Sequence, residues 1–320
     1  MDAFIAQHLR GVSRTYAVVI PMLPGPLAEA VGLAYLVMRI VDTLEDDPQL
    51  TADERRTHFA ALHSALAGNR DAAQALAVVK GDNAHERALL IDAGEVCART
   101  AVLEPQYAEA IRRCARVMSD GVVALLARSE QRGQPYPAVR DAGELREYCY
   151  YVAGVVGEML CAMMVHFLKS PALERLREVA VELGIGLQLV NILKDALKDS
   201  NQGRRYLPQT VGGTVAHGEV YRAVLAEARH SLARGVDFVL ALPATASGLR
   251  LFCGLPLAWG AMTLARAAHD AAGAKISRAA LRASMTRFGR LAGDDAALRQ
   301  WLGELLGAIP AGVAIAPRIG

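Results

Sequence analysis

The stretch AYLVMRIVDTLEDD, Ala34–Asp47, holds three acids, Asp42, Glu45 and Asp46, on an otherwise apolar run. Tyr35, Arg39, Asp42 and Asp46 are spaced by four, three and four residues, so on a helix they share one face. Like charges at such spacing repel one another, and acids near a helix C-terminus oppose its dipole. The arrangement calls for a cation. Hard cations such as Mg²⁺ take oxygen ligands, use one or two carboxylates, and complete their shell with substrate phosphates.

The rest of the chain is consistent with helix. Its 320 residues are 53% hydrophobic but only 5% aromatic, with abundant Ala and Leu. Helical periodicity predicts helices over about 26–46, 53–67, 84–101, 105–129, 141–168, 171–199, 216–240, 247–271, 276–289 and 295–307. Breaks fall at LPGPL, GQPYP and GRRYLPQTVGG. No alternating strand pattern and no solenoid repeat occurs, which favours one all-α domain over residues 1–320.

Several function classes are excluded. A net charge of +2 argues against a nucleic-acid surface. Gly184 and Gly186 form a GxG with no preceding strand and no third glycine, so this is not a dinucleotide fingerprint. There is no P-loop and no EF-hand loop. The five cysteines form no CxxC pair and suit a reduced, cytoplasmic protein. The N-terminus lacks the layout of a signal peptide. No membrane span is expected, because the uncharged run Leu251–Ala265 falls short of roughly 18 apolar residues. The apolar C-terminus, 305–320, is read as a packed tail, with peripheral membrane contact as the alternative.

A second polar stripe lies in LGIGLQLVNILKDALKDSNQGRRYLP, where Gln188, Asn191, Asp195 and Asp199 are spaced by three, four and four. Taken alone it reads as a surface face, with Lys194 and Lys198 pairing locally. Beside the first stripe it points to a shared metal–diphosphate site. Between the two lies EYCYYVAGVVGEMLCAMM. There Tyr148, Tyr151, Val155 and Glu158 are expected on one face, and Ala153, Gly154 and Gly157 leave room for close approach by another element or a ligand. Ser13, Arg14, Arg39, Arg204 and Arg205 add groups suited to phosphate oxygens.

These segments resemble the squalene/phytoene synthase family of head-to-head prenyltransferases. YLVMRIVDTLEDD resembles its first aspartate-rich motif, YCYYVAGVVG its central tyrosine motif, LQLVNILKDALKDSNQGRRYLP its second aspartate-rich motif, and SRTY its flap segment, in family order from Ser13 to Pro208. The resemblance implies an all-α isoprenoid-synthase bundle around a central apolar cavity. It implies Mg²⁺ held by Asp42, Glu45 and Asp46 on one side and by Asp195 and Asp199 on the other. It also implies Tyr148 as the catalytic tyrosine, and Ser13, Arg14, Arg39, Asn191 and Arg204 as diphosphate-binding residues. The implied reaction joins two farnesyl diphosphates through presqualene diphosphate to squalene, with NADPH as reductant. The alternatives are relatives that stop at presqualene diphosphate or make hydroxysqualene, dehydrosqualene or phytoene. A rival of another class is a helical protein that binds Ca²⁺ or a partner. The chain departs from the family pattern at Lys198, which stands for a usual Glu, at Lys194, which stands for a common Arg, and at Glu158, where eukaryotic-type relatives carry an apolar residue. Lacking their C-terminal anchor, it resembles the soluble bacterial type.

Overall fold

The computed structural model describes residues 1–310 except 78, 80–82, 135–137, 202, 209–216 and 269–274. Among the described residues helices dominate and no strand forms. One isolated bridge pairs Ala138 with Arg205. The chain divides into two compact units, Met1–Ala127 with Met159–Glu174, and Arg128–Glu158 with Arg175–Gly320.

The first unit is built on α3, Gly25–Asp46. It packs against α1 (Ala3–Val12), α4 (Ala52–Leu66), α5 (Ala84–Ile91) and α6 (Ala93–Ala101). Gly32 makes room for α1: a Cβ there would stand 2.7 Å from Ile5 Cγ2. α7, Pro105–Gln131, buries Tyr107, Ile111, Cys114, Met118, Val122 and Leu125, the three-and-four spacing of an amphipathic helix.

The N-terminal helix α1, the short α2 (Tyr16–Val19) and the 3₁₀ turn Arg70–Leu76 lie outside the expected helices. The expected 84–101 helix is two, joined at Asp92, whose backbone leaves helical geometry at φ −88°, ψ 9°. His8 Nε2 lies 3.0 Å from Asp92 Oδ2, so a tertiary partner holds this side chain at the joint.

In the second unit, α8 (Ala142–Cys149) passes through a π-turn, Tyr150–Gly154, into the start of α9 (Val155–Leu168), whose residues from Met159 onward belong to the first unit. α10, Arg177–Asn201, packs against α8, the π-turn, α11 (His217–Ala241) and α12 (Ser247–Ala267). α13 (Arg278–Leu291) and α14 (Asp295–Gly307) pack on α12. The room expected at Gly154 and Gly157 is taken by a helix. A Cβ at Gly157 would sit 2.2 Å from Ala180 O, and one at Gly184 would sit 2.3 Å from Ala153 O, so backbone meets backbone. Arg250 is 1% exposed, and its guanidinium donates to Leu240 O, Leu242 O and Ala292 O, tying α12 to its neighbours.

The expectation that no helix has the length and apolarity of a membrane span needs amendment. By length and composition Ala142–Leu168 and Ser247–Ala267 are each apolar enough to cross a membrane. In the first, Glu144, Arg146 and Glu147 lie near its start, and Glu158 stands alone in the apolar remainder. In Ser247–Ala267 the apolar window is 72% buried, as in a core helix, whereas in Ala142–Leu168 it is only 39% buried. The five cysteines are buried free thiols, and burial pushes Cys97 up to about 12. The end of the C-terminal tail, 311–320, lies outside the described residues.

The glycine contacts give a direct test. Gly157→Ala or Gly184→Ala should lower stability by about 1–3 kcal/mol or more through overpacking. Gly289→Ala, with nothing within 4 Å of its Cβ, should be neutral or stabilising. Urea unfolding that ranks the three variants alike would refute the close backbone packing.

Candidate active site

From Ala30 to Asp46 every residue of α3 is buried except Tyr35, Arg39, Asp42 and Asp46. The spacing that places these four on one face thus picks out the half-buried file of the helix, its most accessible side over this stretch. Arg39 sits in its middle. Its Nη1 donates to Asp42 Oδ2 at 2.5 Å, and its Nη2 donates to Glu86 on α5. Burial works against the Arg39 charge, but Asp42 and Glu86 outweigh it and hold the guanidinium above its ordinary pKa. Glu45 is 4% exposed and lies off the file, whereas Asp46 is on it.

At the other end of the file Tyr35 donates to Val12 O at 3.5 Å, and its ring lies 5.2 Å from that of Tyr16. Burial pushes its phenol up, and a hydrogen bond with Ser13 counters that. Ser13 Oγ also accepts from Tyr16 N at 2.9 Å. The structure therefore brings Ser13 to Tyr35 and Arg39 to Asp42, and leaves Arg14 exposed.

Two residues here escaped the sequence reading. Glu86 is 6% exposed at the start of α5, where the Asn83 side chain caps the helix by accepting from His85 N and Glu86 N. Arg55, on α4, is 5% exposed and donates to the last carbonyls of α3. Each lies beside a local signal, since Asn83 precedes Glu86 by the three residues of a helix N-cap pair. Thr51 and Glu54 form a capping box, which fixes the start of α4 and so directs its first turn.

In the second unit the π-turn breaks the expected file of Tyr148, Tyr151, Val155 and Glu158. Tyr148 and Val155 are buried, and Tyr151 and Glu158 are half-buried. Tyr148 is 5% exposed and stacks on Tyr206 at 4.9 Å. Tyr150 donates to Glu158 Oε1 at 3.1 Å, and Tyr151 to Glu147 Oε1 at 3.4 Å. Arg128 Nη2 in turn donates to Glu147 Oε2 at 2.7 Å. Burial and the Glu147 charge push the Tyr151 phenol up.

On α10 Asn191 is exposed, and Gln188, Asp195 and Asp199 are half-buried. Lys194 Nζ lies 3.2 Å from Asp195 Oδ2 and donates to Asn191 Oδ1 at 3.3 Å. Lys198 is exposed. Burial, then the Asp195 charge, pushes the Asp199 carboxyl above the usual range. Arg204 N donates to Asp199 O at 2.9 Å, because Gly203 turns the chain back with φ 80°. Val139 N donates to Arg205 O at 2.9 Å.

Among the described residues no three His, Cys, Asp or Glu stand close enough to hold a metal unaided. The donors on both stripes are carboxylate oxygens, which suits a hard cation whose remaining ligands are phosphate and water. Asp195 and Asp199 already feel each other's charge, the strain a divalent cation relieves. The residues present fit Mg²⁺ in that sense.

The family profile for squalene/phytoene synthase matches residues 9–288. A squalene synthase of Schizosaccharomyces pombe is 31% identical over 212 residues, 64% of this chain and 44% of that protein. The human squalene synthase is 30% identical over 206 residues, 64% of this chain and 46% of that protein. The matched segment thus spans under half the length of these curated relatives. A solved structure of TcSQS with a ligand superposes with a TM-score of 0.76 at 22% identity, covering 96% of this chain and 90% of that one. A dehydrosqualene synthase structure superposes with a TM-score of 0.59 at 19% identity, covering 90% and 95%. The fold is the isoprenoid-synthase helical bundle, and the chain belongs to the squalene/phytoene synthase family.

Proposed function

We propose that this protein condenses two farnesyl diphosphates head to head, through presqualene diphosphate, to squalene, with Mg²⁺ and NADPH. The observation that carries the reading is the half-buried file of α3, a phenol, a guanidinium and two carboxylates on a helix otherwise buried from Ala30 to Asp46. Such a file suits a metal-bound diphosphate. The helix Ala142–Leu168 adds support, being apolar enough for a membrane yet half-buried along much of its length. On it Val152, Val156, Leu160 and Phe167 recur on one face, all half-buried, as a prenyl chain requires.

The residues then take these roles. Asp42 and Asp46, with Glu45 behind them, and Asp195 and Asp199 would hold Mg²⁺, which when bound neutralises charge developing on the departing diphosphate. Arg39 and Arg204 offer planar forks to phosphate oxygens, with Ser13, Arg14 and Asn191 as further diphosphate contacts. The apolar face keeps water from the allylic cation. The alkene of the second chain attacks that cation, and loss of a proton closes the cyclopropane. Tyr148 holds or passes that proton, its phenol kept from bulk water by Tyr206. After a second ionisation and rearrangement the final cation takes hydride, for which NADPH is the proposed source. The five free thiols support a reducing, cytoplasmic setting.

Glu158 favours one alternative ending. It is a half-buried carboxylate on the apolar helix, and it accepts a hydrogen bond from the Tyr150 phenol. A base there can take a proton from the final cation and give dehydrosqualene instead.

Purified protein with farnesyl diphosphate and Mg²⁺ should give squalene only when NADPH or NADH is present. A product profile indifferent to nicotinamide would defeat the squalene assignment, and dehydrosqualene as that product would favour the Glu158 ending.

Asp42→Asn or Asp46→Asn should lower turnover on the order of a hundredfold, as loss of a metal ligand predicts, with an unchanged helical circular-dichroism spectrum. Normal turnover of both variants at limiting Mg²⁺ would remove the metal role of the file.

Tyr148→Phe keeps the ring stacked on Tyr206 and removes only the hydroxyl. Formation of presqualene diphosphate should fall by about 10²-fold or more. An unchanged first step would return Tyr148 to the core and make Tyr151 the next candidate.

A further inference from the structure

Four acids crowd the end of α3: Asp42, Glu45, Asp46 and Asp47. A helix C-terminus already carries partial negative charge on carbonyls with no partner inside the helix. The buried Arg55 answers both problems. Its Nε donates to Leu44 O and Glu45 O, each at 3.2 Å, and its Nη2 donates to Asp47 O at 2.5 Å. The corner that delivers it is fixed at every step. Asp47 Oδ1 accepts from Gln49 N at 2.8 Å, Glu54 Oε2 accepts from Thr51 N at 2.8 Å, and Thr51 Oγ1 accepts from Glu54 N at 3.3 Å.

We propose that Arg55 is a positioning residue for metal binding, which locks the last turn of α3 and supplies a resident positive charge behind the acids. The half-buried carboxylates of Asp42 and Asp46 are then held in one file before any metal arrives, and their mutual repulsion is already offset. A lysine at this position would keep the charge but lose the planar fork that reaches three carbonyls. The inference rests on reading the file as a metal–diphosphate site.

The test titrates Mn²⁺, a paramagnetic stand-in for Mg²⁺, into full-length protein with inorganic pyrophosphate, reading free Mn²⁺ by electron paramagnetic resonance. Circular dichroism and thermal melting are run on the same samples. R55K should fold, yet bind Mn²⁺ about 10- to 100-fold more weakly, the usual cost of losing a group that orients metal ligands. Half-saturation by Mg²⁺ should shift by the same factor, while turnover at saturating Mg²⁺ stays within a few-fold of wild type. R250K alters another buried arginine that binds carbonyls, and should lower Tm without moving metal affinity. Unchanged Mn²⁺ affinity in folded R55K, or an equal loss in R250K, overturns the proposal. Should R55K fail to fold, T51A loosens the capping box that delivers Arg55, and unweakened Mn²⁺ binding there overturns it as well. Wild-type protein that binds no Mn²⁺ also overturns it. Arg55-dependent Mn²⁺ binding without turnover of any prenyl diphosphate would sink the proposed reaction and uphold the positioning role.

Discussion

The first unit depends on one constraint: a long helix buried on nearly every side must still end in charge. Hydrophobic burial holds α3 in place, since its Leu, Val and Ile side chains have almost no access to water. From Ala30 to Asp46 burial of that kind leaves four positions partly open to water, and the chain uses them for Tyr35, Arg39, Asp42 and Asp46. The helix end imposes the second half of the constraint. Buried carbonyls there need donors, and Arg55 brings them. Arg39 and Arg55 therefore serve the same helix end in different ways. Arg39 meets the Asp42 side chain on the half-buried face, and Arg55 binds the backbone carbonyls of Leu44, Glu45 and Asp47.

The second unit answers to a different constraint, closeness. Gly157 and Gly184 let the backbones at Ala180 and Ala153 approach to distances that any Cβ would forbid. The π-turn at Tyr150–Gly154 lies within this contact, and π-turns favour functional sites. Tyr148 enters just before it, and α10, which carries Asp195 and Asp199, is the helix it packs on.

Much of this was legible in the sequence, because period and spacing are local properties. The helix read at 26–46 runs from Gly25 to Asp46, and the four-three-four spacing identified its half-buried file. The close approach at Gly154 and Gly157 was legible too, since glycine weakens a helix interior and is kept there where a neighbour needs the space of a missing Cβ. What the sequence hid depends on distant partners. Asp92 splits a helix while its carboxylate meets His8, which lies 84 positions away. Glu86 matters because Arg39 reaches it across 47 positions. Gly184 read as half of a failed nucleotide motif, and its role appeared only when Ala153 was found against it. The π-turn has no period of its own, so it passed as ordinary helix.

That turn also gives the segment one tolerated change of length. A residue adds about 100° of rotation to an α-helix. The π-turn absorbs one residue's worth of phase between Tyr148, stacked on Tyr206, and Gly157, pressed on Ala180. Deleting one residue from 150 to 154 would let the helix run straight with both anchors still in phase. Inserting another would swing one of them off its partner. Among homologues the number of residues from the tyrosine to the glycine should therefore be this one or one fewer.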